Sequence, residues 1–302
     1  MYGKYLGQYI RIGKHDITFT MFRINASEVA ALVGKNPYKN QDEAIQDCWN
    51  RNKKGLPPLE ILRAKKICKK NKEVEQIYEQ MTKEVSQTTN NQEVTEKKKE
   101  FTEKMKDILV KKVDQKIQDL KDTYEQDIMY AASKKDEELI KKSFQKDLDT
   151  LKEERTQAVE EVKALEKVGN SKFNTNFGTR RETNIGKTYE EVTGMSVEKP
   201  TKKYLWEVVP EHAVVVGKFD GFAEDGTLVE IKQRTRRLFG EVREYENVQV
   251  HVYMKMAEVQ TAQLVEKYED KLMVHDIHYD DDFMCEIEAE LEDVVNNYLM
   301  KM

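Results

Sequence analysis

Cysteine, proline and long apolar runs are all scarce in this chain of 302 residues. Its three cysteines, Cys48, Cys68 and Cys285, lie far apart and form no C-x-x-C pair. This spacing excludes a disulfide framework, a zinc knuckle and a four-thiolate iron–sulfur cluster. No apolar stretch approaches the roughly 20 residues of a membrane-spanning helix, and the N-terminal residues lack the apolar core of a signal peptide. We therefore expect a soluble, intracellular protein with no membrane partner.

Glycine and proline are absent from residues 59–168, where Lys, Glu, Asp and Gln dominate. Such a composition is typical of a helical or a disordered segment. Apolar residues recur at three- and four-residue steps over residues 110–128 and 140–165, with a polar break at residues 133–138. This pattern predicts an antiparallel pair of amphipathic helices, a solvated coiled-coil arm. The polar residues 86–92 predict a flexible joint.

Neither sign of charge dominates, because 51 basic and 56 acidic residues leave a formal net charge of −5. This balance does not exclude a nucleic-acid partner, since a phosphate backbone responds to the local field at a cleft. Residues 1–58 and 169–302 are richer in glycines, turns and β-branched runs than the segment between them. We expect both to form one α/β domain, a mixed β-sheet flanked by helices, which the helical insertion of residues 59–168 interrupts.

The candidate catalytic residues lie in residues 217–232, which read GKFDGFAEDGTLVEIK. Two apolar runs separated by a turn at residues 224–226 predict a β-hairpin. Side chains alternate across a strand, so Glu230 and Lys232 point to the same face. The turn can fold Asp220 back towards this pair.

Two converging carboxylates are costly unless a cation neutralises them, and hard oxygen ligands suit Mg²⁺ or Mn²⁺. A lysine beside them can hold a water or hydroxide for in-line attack, or stabilise charge that develops on a phosphate. The spacing D-x9-E-x-K therefore indicates a metal-dependent phosphodiesterase. An exposed hairpin with solvated charges is the alternative interpretation.

Further polar residues surround this motif in sequence. Residues 176–194 predict a helix that carries Glu182, a candidate third carboxylate for one or two cations, although helical glutamates are more often solvated. The basic run after Lys232 supplies Arg234, Arg236 and Arg237, which are placed to hold phosphates or are simply an ordinary charged strand end.

A predicted helix over residues 247–259 presents a polar pair on one face. Gln249 and Tyr253 are four residues apart, so they point in the same direction. His251 lies on a different face, and we interpret it as a surface or core histidine and not as a ligand.

Four blocks in this order resemble the lambda exonuclease and YqaJ-like viral recombinase family of the PD-(D/E)XK nuclease superfamily. The blocks are INASEVAALVGKNPY, FGTRRE, FDGFAEDGTLVEIK and QVHVYM. They cover nearly all of both flanks and none of the insertion. Phe219 stands where the superfamily has its name-giving proline.

The resemblance implies a role for each matching residue. Asp220 and Glu230, with the backbone carbonyl of Ile231, correspond to the metal ligands, and Lys232 corresponds to the catalytic lysine. Glu182 corresponds to the helical acid of the family.

The resemblance also implies DNA contacts. Gln249 corresponds to a glutamine that faces DNA, and Tyr253 would help it to orient the site or touch DNA. Ser27 matches a serine that contacts phosphate, with a helix N-cap as the alternative interpretation. Arg23 is nearest to the family's phosphate-binding arginine but has a different spacing.

The activity implied is a Mg²⁺-dependent DNA exonuclease that works 5′-to-3′ on linear duplex in viral or phage-type recombination and genome processing. A single-strand annealing protein and a homo-oligomer are the implied partners, in a host cytoplasm or nucleus. Two alternatives remain at this stage: an endonuclease of the same superfamily, and an inert coiled-coil interaction protein. The grouped charges of Asp220, Glu230 and Lys232 argue against the inert one.

Overall fold

The computed structural model describes residues 21–85 and 90–302, with the backbone alone at positions 82, 85 and 176–184. Within this part of the chain, no helix is both long enough and apolar enough to cross a membrane. The sequence predictions for residues 1–20 and 86–89 lie outside the described residues.

The chain alternates between strands and helices on both sides of a purely helical stretch. The elements before and within that stretch are β1 (Phe22–Asn25), a 3-10 turn (Ala26–Glu28), α1 (Val29–Leu32), α2 (Gln41–Lys54), α3 (Leu59–Lys70), α4 (Lys72–Val85), α5 (Asn91–Met129) and α6 (Lys134–Thr193). The elements after it are β2 (Val197–Glu198), β3 (Tyr204–Val209), β4 (Ala213–Gly217), β5 (Gly221–Ala223), β6 (Leu228–Gln233), α7 (Glu244–Ala257), β7 (Thr261–Tyr268), β8 (Lys271–His278) and α8 (Asp281–Asp293), which continues as a π-helix (Val294–Leu299).

Hydrogen bonds divide the strands into two sheets, of order β1-β4-β3 and β2-β5-β6-β7-β8. β1 runs parallel to β4 and β6 runs parallel to β7, whereas the other neighbours are antiparallel. The predicted mixed sheet is present in two parts, because the chain leaves the ladder at residues 218–220, where the Asp220 side chain bonds to β6. The predicted class, a mixed α/β core flanked by helices with a long helical insertion, is confirmed.

The predicted hairpin is the pair β5 and β6, in which Gly221 lies opposite Val229 and Phe222 opposite Leu228. Its turn contains Gly226 with a φ of 87°, a conformation that glycine adopts at little cost. The backbone N–H of Gly226 donates to the Ala223 carbonyl at 2.9 Å and closes the turn.

Strand β6 is covered on both faces. Leu228 belongs to the main core, which the sheets form with α1, α2, α7 and α8. Val229 and Ile231 face the other way and pack against Ile185 and Tyr189 near the C-terminal end of α6. This sandwiching fixes the strand that carries the candidate catalytic residues between two helices.

The helical insertion forms an arm with an apolar core of its own. α5 and α6 run antiparallel and are joined at residues 130–133, so the predicted helical hairpin is confirmed. α3 and α4 pack against the same pair and were not resolved as separate helices by the sequence pattern. α4 ends at Val85 and α5 begins at Asn91, so the last two residues of the predicted joint, Asn91 and Gln92, belong to α5.

Helix α6 passes without a break through position 168, where the sequence analysis set the end of the insertion. Gly169 was part of the reason for that boundary. In the structure it is an interior helical residue, and a Cβ there would lie 2.8 Å from Cε1 of Phe101. The glycine therefore marks a close approach of α5 to α6 and not the end of a helix.

Candidate active site

The hairpin brings Asp220 to β6 between the two other charged residues of its motif. The Oδ2 atom of Asp220 accepts a hydrogen bond from the backbone N–H of Ile231 at 2.7 Å. The N–H and C=O of one strand residue point to the same side, so the Ile231 carbonyl is also directed towards Asp220. Two kinds of oxygen donor, carboxylate and backbone carbonyl, therefore meet at this edge of the strand.

Glu230, Lys232 and Gln249 form one hydrogen-bonded group across β6 and α7. Lys232 Nζ lies 2.8 Å from Oε1 of Glu230 and donates to Oε1 of Gln249 at 3.0 Å. Gln249 Nε2 donates to the same Glu230 oxygen at 3.2 Å and to the Tyr253 hydroxyl oxygen at 3.0 Å. The structure thus brings together five residues from two separate sequence motifs: Asp220, Glu230, Lys232, Gln249 and Tyr253.

Burial sets the electrostatics of this group. Glu230 is 5% exposed, and burial raises its pKa to about 7, against the attraction of Lys232 and with the help of the Asp220 charge. Burial opposes the charge of Lys232, but the Glu230 carboxylate more than offsets this and raises the lysine pKa. Burial also raises the pKa of Tyr253, so its hydroxyl stays neutral. Burial makes the ionised form of Glu230 unfavourable, and a bound divalent cation would stabilise that ionised form.

The donor set fits a hard divalent cation in part. Asp220, Glu230 and the Ile231 carbonyl supply oxygens, which Mg²⁺ and Mn²⁺ prefer. The described residues contain no group of three His, Cys, Asp or Glu side chains that could hold a metal. Glu182 lies on α6, three residues before the buried Ile185, but its side chain is outside the described part of the structure.

Arg234 does not face the surface. Its side chain is 10% exposed, and the guanidinium group donates to both Glu246 oxygens, at 2.7 Å and 2.9 Å, and to Glu266. Glu266 also accepts hydrogen bonds from the backbone N–H groups of Phe239 and Gly240, at 3.1 Å and 3.2 Å. We therefore assign Arg234 to the support of α7 and do not retain it as a DNA contact.

The remaining basic residues of the QRTRR run have a different environment. Arg236 and Arg237 are exposed beyond the end of β6, where a phosphate could reach them. The run is therefore not one basic cluster. It contains one buried structural arginine, Arg234, and two accessible arginines, Arg236 and Arg237.

Arg23 and Ser27 line one cleft of about 260 Å³, with Lys203, Lys218 and Tyr253 among its walls. Both Arg23 and Ser27 are exposed. The cleft adjoins the candidate catalytic group, because Tyr253 borders the one and hydrogen-bonds to Gln249 in the other. Lys203 and Lys218 were missed in the sequence, since Lys203 lies in no motif and Lys218 precedes the block FDGFAEDGTLVEIK that carries the resemblance.

The helix-cap alternative for Ser27 does not describe this turn. Asn25 occupies the N-cap position with an extended backbone, at φ −82° and ψ 139°. Its backbone N–H donates to Oε2 of Glu28 at 3.3 Å, as in a capping box. The Ser27 side chain is therefore not committed to capping the turn.

His251 lies away from the candidate catalytic group, as expected. It is buried, its Nδ1 lies 3.0 Å from the Asn247 carbonyl, and its ring packs on Tyr279 and Phe283. Burial lowers its pKa, which is consistent with a neutral core histidine.

The fold and the hairpin agree with the core that the family resemblance implies. A mixed sheet is flanked by helices, and an Asp, a Glu and a Lys are brought together at one hairpin. Residues 130–265 match the family model of the YqaJ-like viral recombinase domain. The predicted family resemblance is therefore confirmed over these residues. The match begins before α6 and so includes one helix of the arm, which the sequence analysis had left outside.

Comparison with solved structures gives distant matches. SSO0001 is 17% identical with a TM-score of 0.33, over 41% of this chain and 60% of that one. An alkaline exonuclease from Laribacter hongkongensis is 19% identical with a TM-score of 0.38, over 49% and 80% of the two chains. A phage-related exonuclease from Haemophilus somnus 129PT is 13% identical with a TM-score of 0.35, over 42% and 71%. No protein with a curated description matches the chain.

Proposed function

We propose that this protein is a metal-dependent deoxyribonuclease that digests linear duplex DNA from a 5′ end. The observation that carries the proposal is the bonded group of Glu230, Lys232 and Gln249 beside Asp220. The match of residues 130–265 to a viral recombinase domain supports a role in phage-type or viral recombination.

Asp220, Glu230 and the Ile231 carbonyl would hold the cation, and Glu182 would complete the ligand set. Bound Mg²⁺ or Mn²⁺ supplies polarisation of the scissile phosphate and neutralises charge that develops on it. The two carboxylates alone repel each other, so cation binding is coupled to their joint ionisation.

Lys232 would position the attacking water. Its Nζ is held between Glu230 and Gln249, and its side chain keeps 22% exposure on the side open to solvent. A fixed ammonium group can orient the lone pair of a water towards phosphorus and stabilise the anionic transition state. Gln249 fixes the lysine from α7, and Tyr253 fixes Gln249 in turn.

The cleft lined by Arg23, Ser27, Lys203 and Lys218 would bind the 5′-terminal phosphate. Three cations and one hydroxyl suit a phosphate group that carries more than one negative charge. A pocket for a terminal phosphate next to the cutting site would confine hydrolysis to a chain end and set the 5′-to-3′ direction. The family resemblance extends the proposal to a single-strand annealing partner and to a homo-oligomer.

The decisive assay compares wild type with Lys232→Ala on 5′-phosphorylated linear duplex and on covalently closed circles, with Mg²⁺, Mn²⁺ or EDTA. We expect wild type alone to digest the linear DNA, only with a cation, and neither protein to cut circles. Equal activity of the two proteins would remove Lys232 from the mechanism. Cutting of circles would indicate an endonuclease instead.

A second comparison tests the phosphate cleft. Lys218→Gln should reduce the preference of the enzyme for a 5′-phosphate over a 5′-hydroxyl end, whereas Lys271→Gln, which removes an exposed lysine at the start of β8, serves as a matched charge-loss control. An unchanged preference in Lys218→Gln would remove the cleft from 5′-end recognition. Thermal unfolding of each variant establishes that the fold is retained.

A further inference from the structure

Several lysines along the arm form ion pairs with neighbouring carboxylates. Lys111, Lys112, Lys116 and Lys141 each have a carboxylate oxygen within 4 Å. Such pairs are worth little in stability, but they neutralise the surface locally. At these four positions the arm therefore presents paired charges and no net positive surface.

The base of the arm differs. α3 contains five basic residues and one acidic residue, Glu60. A groove of about 700 Å³ opens beside it and is lined by α3, α4 and α6. Its lining contains four lysines and two glutamates, which are Lys65, Lys69, Lys83, Lys172, Glu75 and Glu79.

Three lysines of this groove, Lys65, Lys69 and Lys172, have no carboxylate oxygen within 4 Å among the described residues. Lys65 and Lys69 are exposed, one helical turn apart, and neither has a described carboxylate oxygen within 4 Å. Lys172 lies over the Tyr78 ring at 4.5 Å, which holds its charge at the groove. The groove therefore presents a net positive surface on a protein that is negative as a whole.

A second pair of cations connects the arm to the end of the catalytic strand. Lys98 of α5 donates to Oδ1 of Asn174 at 2.6 Å, and Arg236 follows β6 by three residues. Burial, together with the neighbouring Arg236 charge, lowers the pKa of Lys98 to about 8. Two adjacent cations with no described carboxylate between them are stabilised by an incoming anion.

We propose that the base of the arm is a second DNA-binding surface, in which Lys65, Lys69, Lys172 and the pair of Lys98 and Arg236 hold the phosphodiester backbone outside the catalytic cleft. The inference rests on the proposed function, because it takes DNA as the substrate. The ligand chemistry is a chain of phosphates, supplied either by the duplex still to be digested or by the single strand left behind. In this proposal the arm contributes directly to DNA binding.

The experiment compares two matched double variants. Lys65→Gln/Lys69→Gln removes two exposed lysines one turn apart at the groove, and Lys142→Gln/Lys146→Gln removes two with the same spacing on the outer part of α6. Binding of each to duplexes of increasing length and to single strands is measured in EDTA over a range of salt. Hydrolysis of a short 5′-phosphorylated duplex is measured in parallel with Mg²⁺.

We expect the groove variant to bind long DNA roughly threefold to tenfold more weakly, with a salt slope smaller by about 2, because two phosphate contacts are lost. The outer variant should match wild type, and short-duplex hydrolysis should be the same in all three. A loss with duplex alone identifies the undigested DNA as the occupant, and a loss with single strands alone identifies the product strand. Lys98→Gln should weaken long-DNA binding as well.

Equal binding of the two double variants to all DNAs would overturn the proposal and would leave the groove as a surface for an acidic protein. Failure of the proposed function looks different. In that case wild type itself would neither bind linear duplex nor digest it. If wild type digests DNA and the groove variant binds like the outer one, only the inference about the arm fails.

Discussion

The guanidinium group of Arg234 forms two parallel hydrogen bonds with the Glu246 carboxylate, at 2.7 Å and 2.9 Å, in the interior of the protein. Arg234 lies two residues after Lys232, directly beyond the end of β6, and Glu246 lies three residues before Gln249 on α7. The pair therefore joins the strand and the helix one step away from the contact between Lys232 and Gln249. The Arg234–Glu246 pair thus holds α7 in the position in which Gln249 contacts Lys232.

Loss of this buried pair should destabilise the fold. Arg234→Met leaves the Glu246 and Glu266 carboxylates buried without their cation, and breaking such a pair typically costs about 3–5 kcal/mol. The free energy of unfolding from denaturant titration measures the effect. Arg236→Met, which removes an exposed arginine of the same run, should stay within about 0.5 kcal/mol of wild type. Equal stability of the two variants would contradict the structural role of Arg234.

Gln249→Ala should lower activity far more than stability. The variant removes the hydrogen bonds that hold Glu230 and Lys232 from α7, and loss of such a supporting contact typically costs about 10- to 100-fold in activity. We expect the loss in kcat, with little change in KM for DNA. Glu244→Gln, an exposed change on the same helix, is the control. A variant with wild-type kcat would show that Gln249 does not position the lysine.

Gly217→Ala should be harmful and Gly186→Ala should not. A Cβ at position 217 would lie 2.6 Å from Cε1 of Tyr253 and 2.9 Å from the Ala26 Cβ, so the tyrosine must move. Overpacking of this kind costs about 1–3 kcal/mol, and here it should also lower activity. Gly186 lies within α6 with no described atom within 4 Å of the new Cβ. Alanine there should stabilise the helix by about 0.5–1 kcal/mol. Thermal unfolding and nuclease assays on both variants test this contrast.

The stability difference between Lys98→Gln and wild type should depend on pH. Burial, with the Arg236 charge, lowers the pKa of Lys98 to about 8 in the folded protein, against a normal value of 10.5 when unfolded. The charged lysine therefore destabilises the fold below pH 8, and this cost disappears as pH rises from 8 towards 10.5. After allowance for solvent screening, we expect the variant to gain about 1 kcal/mol relative to wild type at pH 7, and less at pH 10. A difference that does not vary with pH would contradict the lowered pKa.

Local patterns were enough to predict the hairpin and the long helices. Alternating side chains and the turn at Gly226 specify the β5 and β6 pair, and apolar residues at helical spacing specify α5 and α6. Spacing within the chain also placed Gln249 and Tyr253 on one helix face, where they do bond to each other. Each of these features depends on residues that are close in sequence.

Features that depend on distant residues were not visible. From the sequence alone, Arg234 resembles an exposed residue at the end of a strand. Its partners Glu246 and Glu266 are 12 and 32 positions away, and only the fold places them beside it. Lys203 and Lys218 come together only when the strands fold around the N-terminal turn. Gly169 resembled a boundary because a helix-interior glycine cannot be distinguished from a breaker without its neighbour Phe101.

The length of α6 has a mechanical consequence. One uninterrupted helix of 60 residues, about 90 Å at 1.5 Å per residue, begins at the outer turn of the arm and ends against the strand that carries Glu230 and Lys232. A molecule that binds the outer turn would therefore contact the same continuous helix that packs against the strand of the candidate catalytic group. Binding at one end of α6 and the proposed hydrolysis at its other end are joined by a single backbone.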